Sequence, residues 1–381
     1  MQVASIASLD SVGAQEWNQL VHANYPFLKH EFLLAAEQTG CVAPATGWQP
    51  CHLLLRSTDR QLIGALPLYE KTHSWGEFVF DWAWANAYQQ AGFDYYPKLV
   101  SAVPFTPAGS PRLLCGEVGG PADAVLIDAA LSMARERDLS SLHIQFPVAQ
   151  ELPTLQRAGL KLRKDCQFHW HNNDYGGFED FIGQFSSQKR KKTRQDRRRV
   201  QAQGISFRWL HGGDIDALTW HTVYQLISGT FLQRGAQPYF TKSFFQAISQ
   251  SMPDNVLVIL AERQDKAIAA AIFYVGENRL YGRYWGSDGF YDALHFETCY
   301  YQGIEYCIAH GLKVFEPGTQ GEHKISRGFR PETTWSAHWL AHDAFFDAIG
   351  RYLDEEQEHI ERYIVAVDEH SPYRRKPVAR K

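Results

Sequence analysis

The chain has 381 residues, enough for two domains of ordinary size. With 45% hydrophobic and 21% charged residues it has the balance of a globular protein, and no apolar run nears the roughly 18 to 20 residues of a bilayer span, which excludes a membrane-spanning class. The formal net charge is −4, yet eight basic residues fall within residues 189–199, so positive charge is concentrated rather than spread. The first ten residues lack a basic segment followed by an apolar core, so the expected compartment is the cytoplasm. Six cysteines without Cys-x-x-Cys spacing and scattered histidines give no reason to expect a metal site.

In chain order, Arg60–Tyr69 reads as a turn into a strand, and the amphipathic run Ala122–Arg137 as a helix leading into a strand at Leu142–Phe146. The same order recurs later. Asp265–Tyr274 repeats the turn and strand, and a helix from Phe296 leads through Gly311 into a strand at Leu312–Phe315. Matching Ile63 to Ile268 gives an offset of 205 and matching Leu139 to Leu312 gives 173, so the first copy holds about 32 extra residues. That insertion concentrates aromatics among polar groups in residues 73–88. It serves either as a ligand-lining surface, with Trp82 and Tyr88 as candidate contacts, or as a second small core. The expected domains are 1–165, carrying the insertion, and 166–370, followed by a basic mobile tail at 371–381.

Residues 186–199 contain no apolar side chain. Ser186 and Ser187 are suited to N-capping, Gly204 to stopping, and Arg190, Arg194 and Arg198 align four residues apart, which predicts a solvent-facing basic helix over about 188–203. Like charges at that spacing repel by a few tenths of a kcal/mol per pair unless an anion is present. Lys189, Arg190, Lys191 and Arg194 are therefore candidate phosphate contacts, and transfer RNA is a candidate partner. A solvated surface helix is the plainer alternative.

Residues 316–329 gather Glu316, Gln320, Glu322, His323, Lys324 and Arg327 in a glycine-punctuated loop after a strand, where open α/β sheets place their sites. Acyl transfer to an amine needs such a set: a group to accept the ammonium proton and donors for a carbonyl oxygen that becomes an oxyanion. Glu322 or His323 is the candidate acceptor, and Lys324 with Arg327 the candidate charge stabilisers. The structural alternative is a salt-bridge network that fixes the turn. Arg283 and Trp285, ending the preceding hairpin, and His295 with Glu297, starting the helix, are expected to face the same cleft. The basic helix and this loop are expected to form opposite walls of one groove. No Gly-x-Ser-x-Gly, Walker or Gly-x-Gly-x-x-Gly motif occurs.

The stretches at residues 26–32, 80–84, 189–192, 281–286, 320–324 and 327–329 together resemble the Fem-like family, more closely the group labelled peptidoglycan biosynthesis/recognition. The resemblance implies an α/β fold of two tandem domains of the Gcn5-related N-acetyltransferase (GNAT) type, with mixed sheets and flanking helices. It also implies transfer of an amino acid from aminoacyl-tRNA to an amine on a peptidoglycan precursor or other small peptide, with no cofactor required. The family's Phe-Lys pair before Gly-Phe falls on Ile325 and Ser326, so a catalytic lysine is Lys324 or is absent. The glycine-rich turn that holds the pyrophosphate of coenzyme A is missing. A coenzyme A-dependent N-acyltransferase using acyl-CoA as donor, and a non-catalytic protein recognising a cell-wall peptide or nucleotide-sugar, remain the alternatives.

Overall fold

The computed structural model describes every residue except 117–119, 320 and 375–381. It divides into two mixed α/β units: Met1–Cys166 with Tyr239–Phe244 and Thr333–Arg362, and Gln167–Pro238 with Phe245–Glu332 and the chain from Tyr363 onward. The expected contiguous segment 166–370 is thus interrupted by two stretches that belong to the first unit. Packing explains both. Phe240 and Phe244 set their rings 5.8 and 5.2 Å from that of Phe32, and Ile349 and Leu353 join Trp84, Tyr88 and Leu340 in one buried cluster.

In the first unit, Gln2–Ile6, His52–Arg56 and Leu62–Leu66 form an antiparallel run. Lys98–Ser101 pairs in parallel with Ser141–Gln145, Leu99 opposite Leu142. A parallel pair requires a crossover, and the helix Pro121–Glu136 supplies it. Pro121 occupies a first-turn position whose N–H would be unsatisfied anyway. Leu126, Ile127, Ala130, Leu131 and Ala134 bury one face against Leu53, Leu55, Leu99 and Ile144. Each full leucine burial contributes roughly 1.5–3 kcal/mol before entropy is counted.

The second unit repeats the plan. Ile205–His211, Val256–Arg263, Lys266–Val275 and Arg279–Ser287 run antiparallel. Val314–Glu316 then lies parallel to Arg279–Tyr281 and antiparallel to Trp170 and His171. The crossover helix runs Leu294–Phe296, makes one π turn at Glu297–Tyr301 and continues as Gln302–Ala309. It stops at Gly311, whose φ of +68° suits a residue without Cβ. The helix Ala217–Leu232 packs so closely on the strand at Gly286 that a Cβ there would sit 1.9 Å from the Leu226 carbonyl oxygen.

Most of the last helix, Asp343–Asp368, belongs to the first unit. The expectation for the C-terminal tail changes. The tail is anchored where it is described: the Tyr373 hydroxyl donates to the Gly328 carbonyl at 2.8 Å, and Arg374 donates to the carbonyls of Phe185 and Gly183. Residues 375–381 of the expected tail lie outside the described residues.

Candidate active site

The site follows from unequal strand lengths. Arg279–Ser287 keeps its parallel partner only as far as Tyr281, because the shorter strand ends at Glu316. Beyond that point a cleft of about 240 Å³ opens, lined among others by Arg234, Arg283, Trp285, His295, Tyr300 and Pro317. The longer strand carries a bulge here. Ile272 faces Tyr284 and Phe273 faces Gly282, so Arg283 is the extra residue, and bulges re-aim side chains in this way. Arg283 donates to the carbonyls of Gly282 at 2.9 Å and Glu316 at 3.3 Å.

Glu316 is 2% exposed. Its carboxylate accepts from Arg279 at 2.8 Å and lies 3.8 Å from Arg283. Burial raises its pKa against the pull of both guanidinium groups. It is a tie between the strands and does not line the cleft.

The loop turns over Glu322–Arg327 between Gly321 and Gly328, both at positive φ, +113° and +94°. Lys324 is 2% exposed, and its ammonium donates to the Gly318 carbonyl at 2.6 Å. Burial first, then Arg283, brings its pKa down to about 7. No carboxylate pairs with it among the described residues. His323, at the surface, shares a 2.8 Å hydrogen bond between Nε2 and the hydroxyl of cleft-lining Tyr300. Partial burial of its ring, Arg327 and Lys324 lower its pKa.

The other loop candidates turn elsewhere. Glu322 is exposed and accepts from the Tyr363 hydroxyl at 2.9 Å. Arg327 donates to the His323 carbonyl at 2.7 Å and lies over the Phe296 ring at 3.4 Å, so it pegs the turn. Gln320 lies outside the described residues. His295 does face the cleft. Burial and then the charges of His323, Arg327, Lys324 and Arg234 lower it to about 4, so it is neutral at physiological pH. Glu297 does not; it accepts from Arg197 and Gln302. Arg234, two residues past the end of its helix, was missed, and nothing in its local pattern distinguishes it.

The basic helix spans Ser187–Ala202, close to expectation, but it is not solvated all round. Thr193, Asp196 and Val200 are buried, and Arg197 reaches Glu297 at 3.0 Å and Glu305 at 2.8 Å. Arg194 pairs with Glu179, Arg199 with Asp292, and Arg190 donates to the Gly183 carbonyl. Lys189, Lys191, Lys192 and Arg198 have no carboxylate partner among the described residues. The helix and the loop do not wall one groove. Arg194, Arg197 and Arg198 line a separate hollow of about 630 Å³, and no residue of this helix lines the cleft. Helix and loop meet at Asp196 instead, 3.9 Å from Arg327.

In the first unit, Trp82 is 38% exposed beside Trp75, their rings 5.4 Å apart. Tyr88 is 3% exposed and stacked on Phe345 at 4.1 Å, so it is a core residue rather than a surface contact. The aromatic insertion is therefore both core and surface.

Comparison with known proteins supports the architecture. A sequence profile of the FemAB-like family, described as peptidoglycan biosynthesis/recognition, matches residues 8–375. FemX superposes with a TM-score of 0.57 at 14% identity, covering 92% of this chain and 100% of FemX. The C-terminal domain of an Agrobacterium fabrum protein named as a lysylphosphatidylglycerol synthetase gives 0.55 at 10% identity, covering 89% and 95%. L-PGS from Bacillus licheniformis gives 0.50 at 11% identity, covering 84% and 95%. No curated protein matches by sequence. The fold is the mixed α/β architecture shared with FemX, and among the described residues no helix is long and apolar enough to cross a membrane.

Proposed function

The chain belongs to the FemAB-like family of peptidoglycan biosynthesis/recognition, and from that premise we propose that it transfers an acyl or aminoacyl group to an amine at the cleft of the second unit. The observation that carries this is Lys324, a buried ammonium held by one carbonyl beside a cleft, with its pKa near neutrality. A buried lysine poised near neutrality beside a cleft is a candidate for chemistry there.

As the amine nitrogen attacks the acyl carbon, negative charge develops on the carbonyl oxygen; when the carbonyl re-forms, the ester or thioester bond to the donor breaks and the donor leaves as its hydroxyl or thiol. Lys324 and Arg283 are the cations positioned to stabilise it. The proton lost by the amine passes by way of the Tyr300 hydroxyl to His323 at the surface. Arg327 holds the turn that presents Lys324, and Glu322 has no part in the step. The unpaired face of the basic helix, with Lys191, Lys192 and Arg198, suits the phosphates of an aminoacyl-tRNA donor.

Incubation with radiolabelled aminoacyl-tRNA or acyl-CoA and a peptidoglycan-type peptide amine tests the proposal. Label should pass to the peptide from aminoacyl-tRNA. Transfer from acyl-CoA alone would replace the donor, and transfer from neither would refute the proposal.

A further inference from the structure

In the first unit, residues 72–93 present a surface unlike the rest of a chain with 21% charged residues. The stretch contains no lysine or arginine, and its two carboxylates, Glu77 and Asp81, are buried. Burial and the nearby Lys71 lower the pKa of His73, so it adds no charge at neutrality. Outward-facing instead are aromatics: Trp75 is 64% exposed and Phe80 52%, and Trp82 stands beside Trp75. The presentation is built into the fold. The buried Lys98 ammonium donates to Ser74 at 2.8 Å, to Glu77 at 2.9 Å and to Asp81. Ser74 and Asp81 immediately precede Trp75 and Trp82, so one ammonium fixes the backbone that carries both rings. Lys71 donates to the Trp75 carbonyl at 3.3 Å, and Arg163 to the Phe80 carbonyl at 2.7 Å. A rigid, uncharged aromatic face of this kind marks an interaction surface.

Geometry and area select the occupant. The planes of Trp75 and Trp82 meet at 63°, so the pair offers no single flat platform for stacking on a sugar chain. At about 150–250 Å² per aromatic side chain, the three rings expose on the order of 300 Å², well short of the roughly 800 Å² per partner in a stable protein interface. A bilayer needs neither a platform nor a closed interface. Tryptophan rings settle at the level of the lipid headgroups, and phenylalanine reaches the acyl boundary. Without lysine or arginine the stretch gains nothing from anionic lipid, and without exposed carboxylates it is not repelled by the headgroup phosphates. We infer that residues 75–82 form a peripheral anchor, with Trp75, Phe80 and Trp82 entering the interface of a zwitterionic bilayer. The chain lies on the membrane here and does not span it. The anchor is independent of the transfer proposed for the second unit.

Co-sedimentation of the full chain with phosphatidylcholine vesicles tests this. Wild type should pellet with the vesicles to the same extent at about 0.1 and about 1 M salt, between which the Debye length falls from about 10 to about 3 Å. Trp75→Ser combined with Trp82→Ser should lower the partition coefficient tenfold or more, with an unchanged circular dichroism spectrum. Phe80→Glu, which sets a charge on the same face, is the second variant and should give a similar loss. Phe290→Ser, at an exposed aromatic of the second unit, should stay within twofold of wild type. The inference is overturned if wild type remains in the supernatant or if both variants bind within twofold of it. Binding that disappears at high salt also overturns it, since that behaviour belongs to the basic helix. So does a wild-type dimer, or binding of a chitin oligosaccharide, that is lost in the double variant, because the surface then serves a second copy or a glycan.

Discussion

Lys324 makes the protein less stable than it could be. Its folded pKa of about 7 lies below the ordinary 10.5. Between those values the unfolded chain holds a proton that the folded chain does not, so stability rises with pH across that window and falls as pH drops toward 7. At ~1.4 kcal/mol per unit, burial of this one group costs on the order of 4 kcal/mol at neutrality as an upper bound. Lys324→Met should therefore melt several degrees higher than wild type, measured by calorimetry at pH 7. The same residue sets an activity limit. Transfer should decline as pH rises through about 7, where Lys324 loses its charge, and should decline below the ordinary histidine value of 6.5, as His323, whose pKa is lowered, takes up a proton. In the pH profile of the transfer rate, His323→Asn should lose the acid limb and keep the basic one. The sequence showed Lys324 and His323 as neighbours in a polar loop, but burial of one and exposure of the other depend on where Gly318 and Tyr300 come to lie.

At the scale of elements, periodicity revealed the crossover helices because their apolar stripes are local. The buried face of the basic helix was hidden because its partners are distant: Glu297 and Glu305 lie 100 and 108 residues beyond Arg197. Arg197→Ala leaves Glu297, 3% exposed, without its guanidinium. A loss of about 3 kcal/mol is expected from urea unfolding. Neutralising Lys191, Lys192 and Arg198 together should cost no stability, since it relieves repulsion, and should weaken binding of charged tRNA in a salt-dependent way. The cleft was unreadable for a related reason. A bulge at Arg283 and a strand that ends early are properties of pairing, and pairing partners are not adjacent in sequence.

For the whole molecule, repetition was the most legible feature: two strand–helix–strand units with their parallel pairs at Leu99–Leu142 and Leu280–Phe315. What repetition did not disclose is the exchange of segments, set by aromatic packing around Phe32 and by the cluster of Trp84 and Tyr88. Histidines whose pKa is lowered in the folded chain are expected to cost stability in acid. His143 and His338 face each other with Nδ1 atoms 2.7 Å apart; burial lowers His143 to about 3 and His338 well below its ordinary value, and His169 also falls to about 3. Below pH 6.5 the unfolded chain takes up protons that these sites refuse, so stability should fall by roughly 1.4 kcal/mol per pH unit for each such site. The urea midpoint should accordingly drop between pH 7 and pH 5.

The most direct measurement is single-turnover transfer from charged tRNA to a peptide amine by wild type and by Lys324→Met, each shown to be folded by circular dichroism. The buried ammonium beside the cleft predicts a loss of about a hundredfold or more in the substituted protein. Transfer within about twofold of wild type would contradict it, because a cation that stabilises the developing oxyanion is not dispensable at that level.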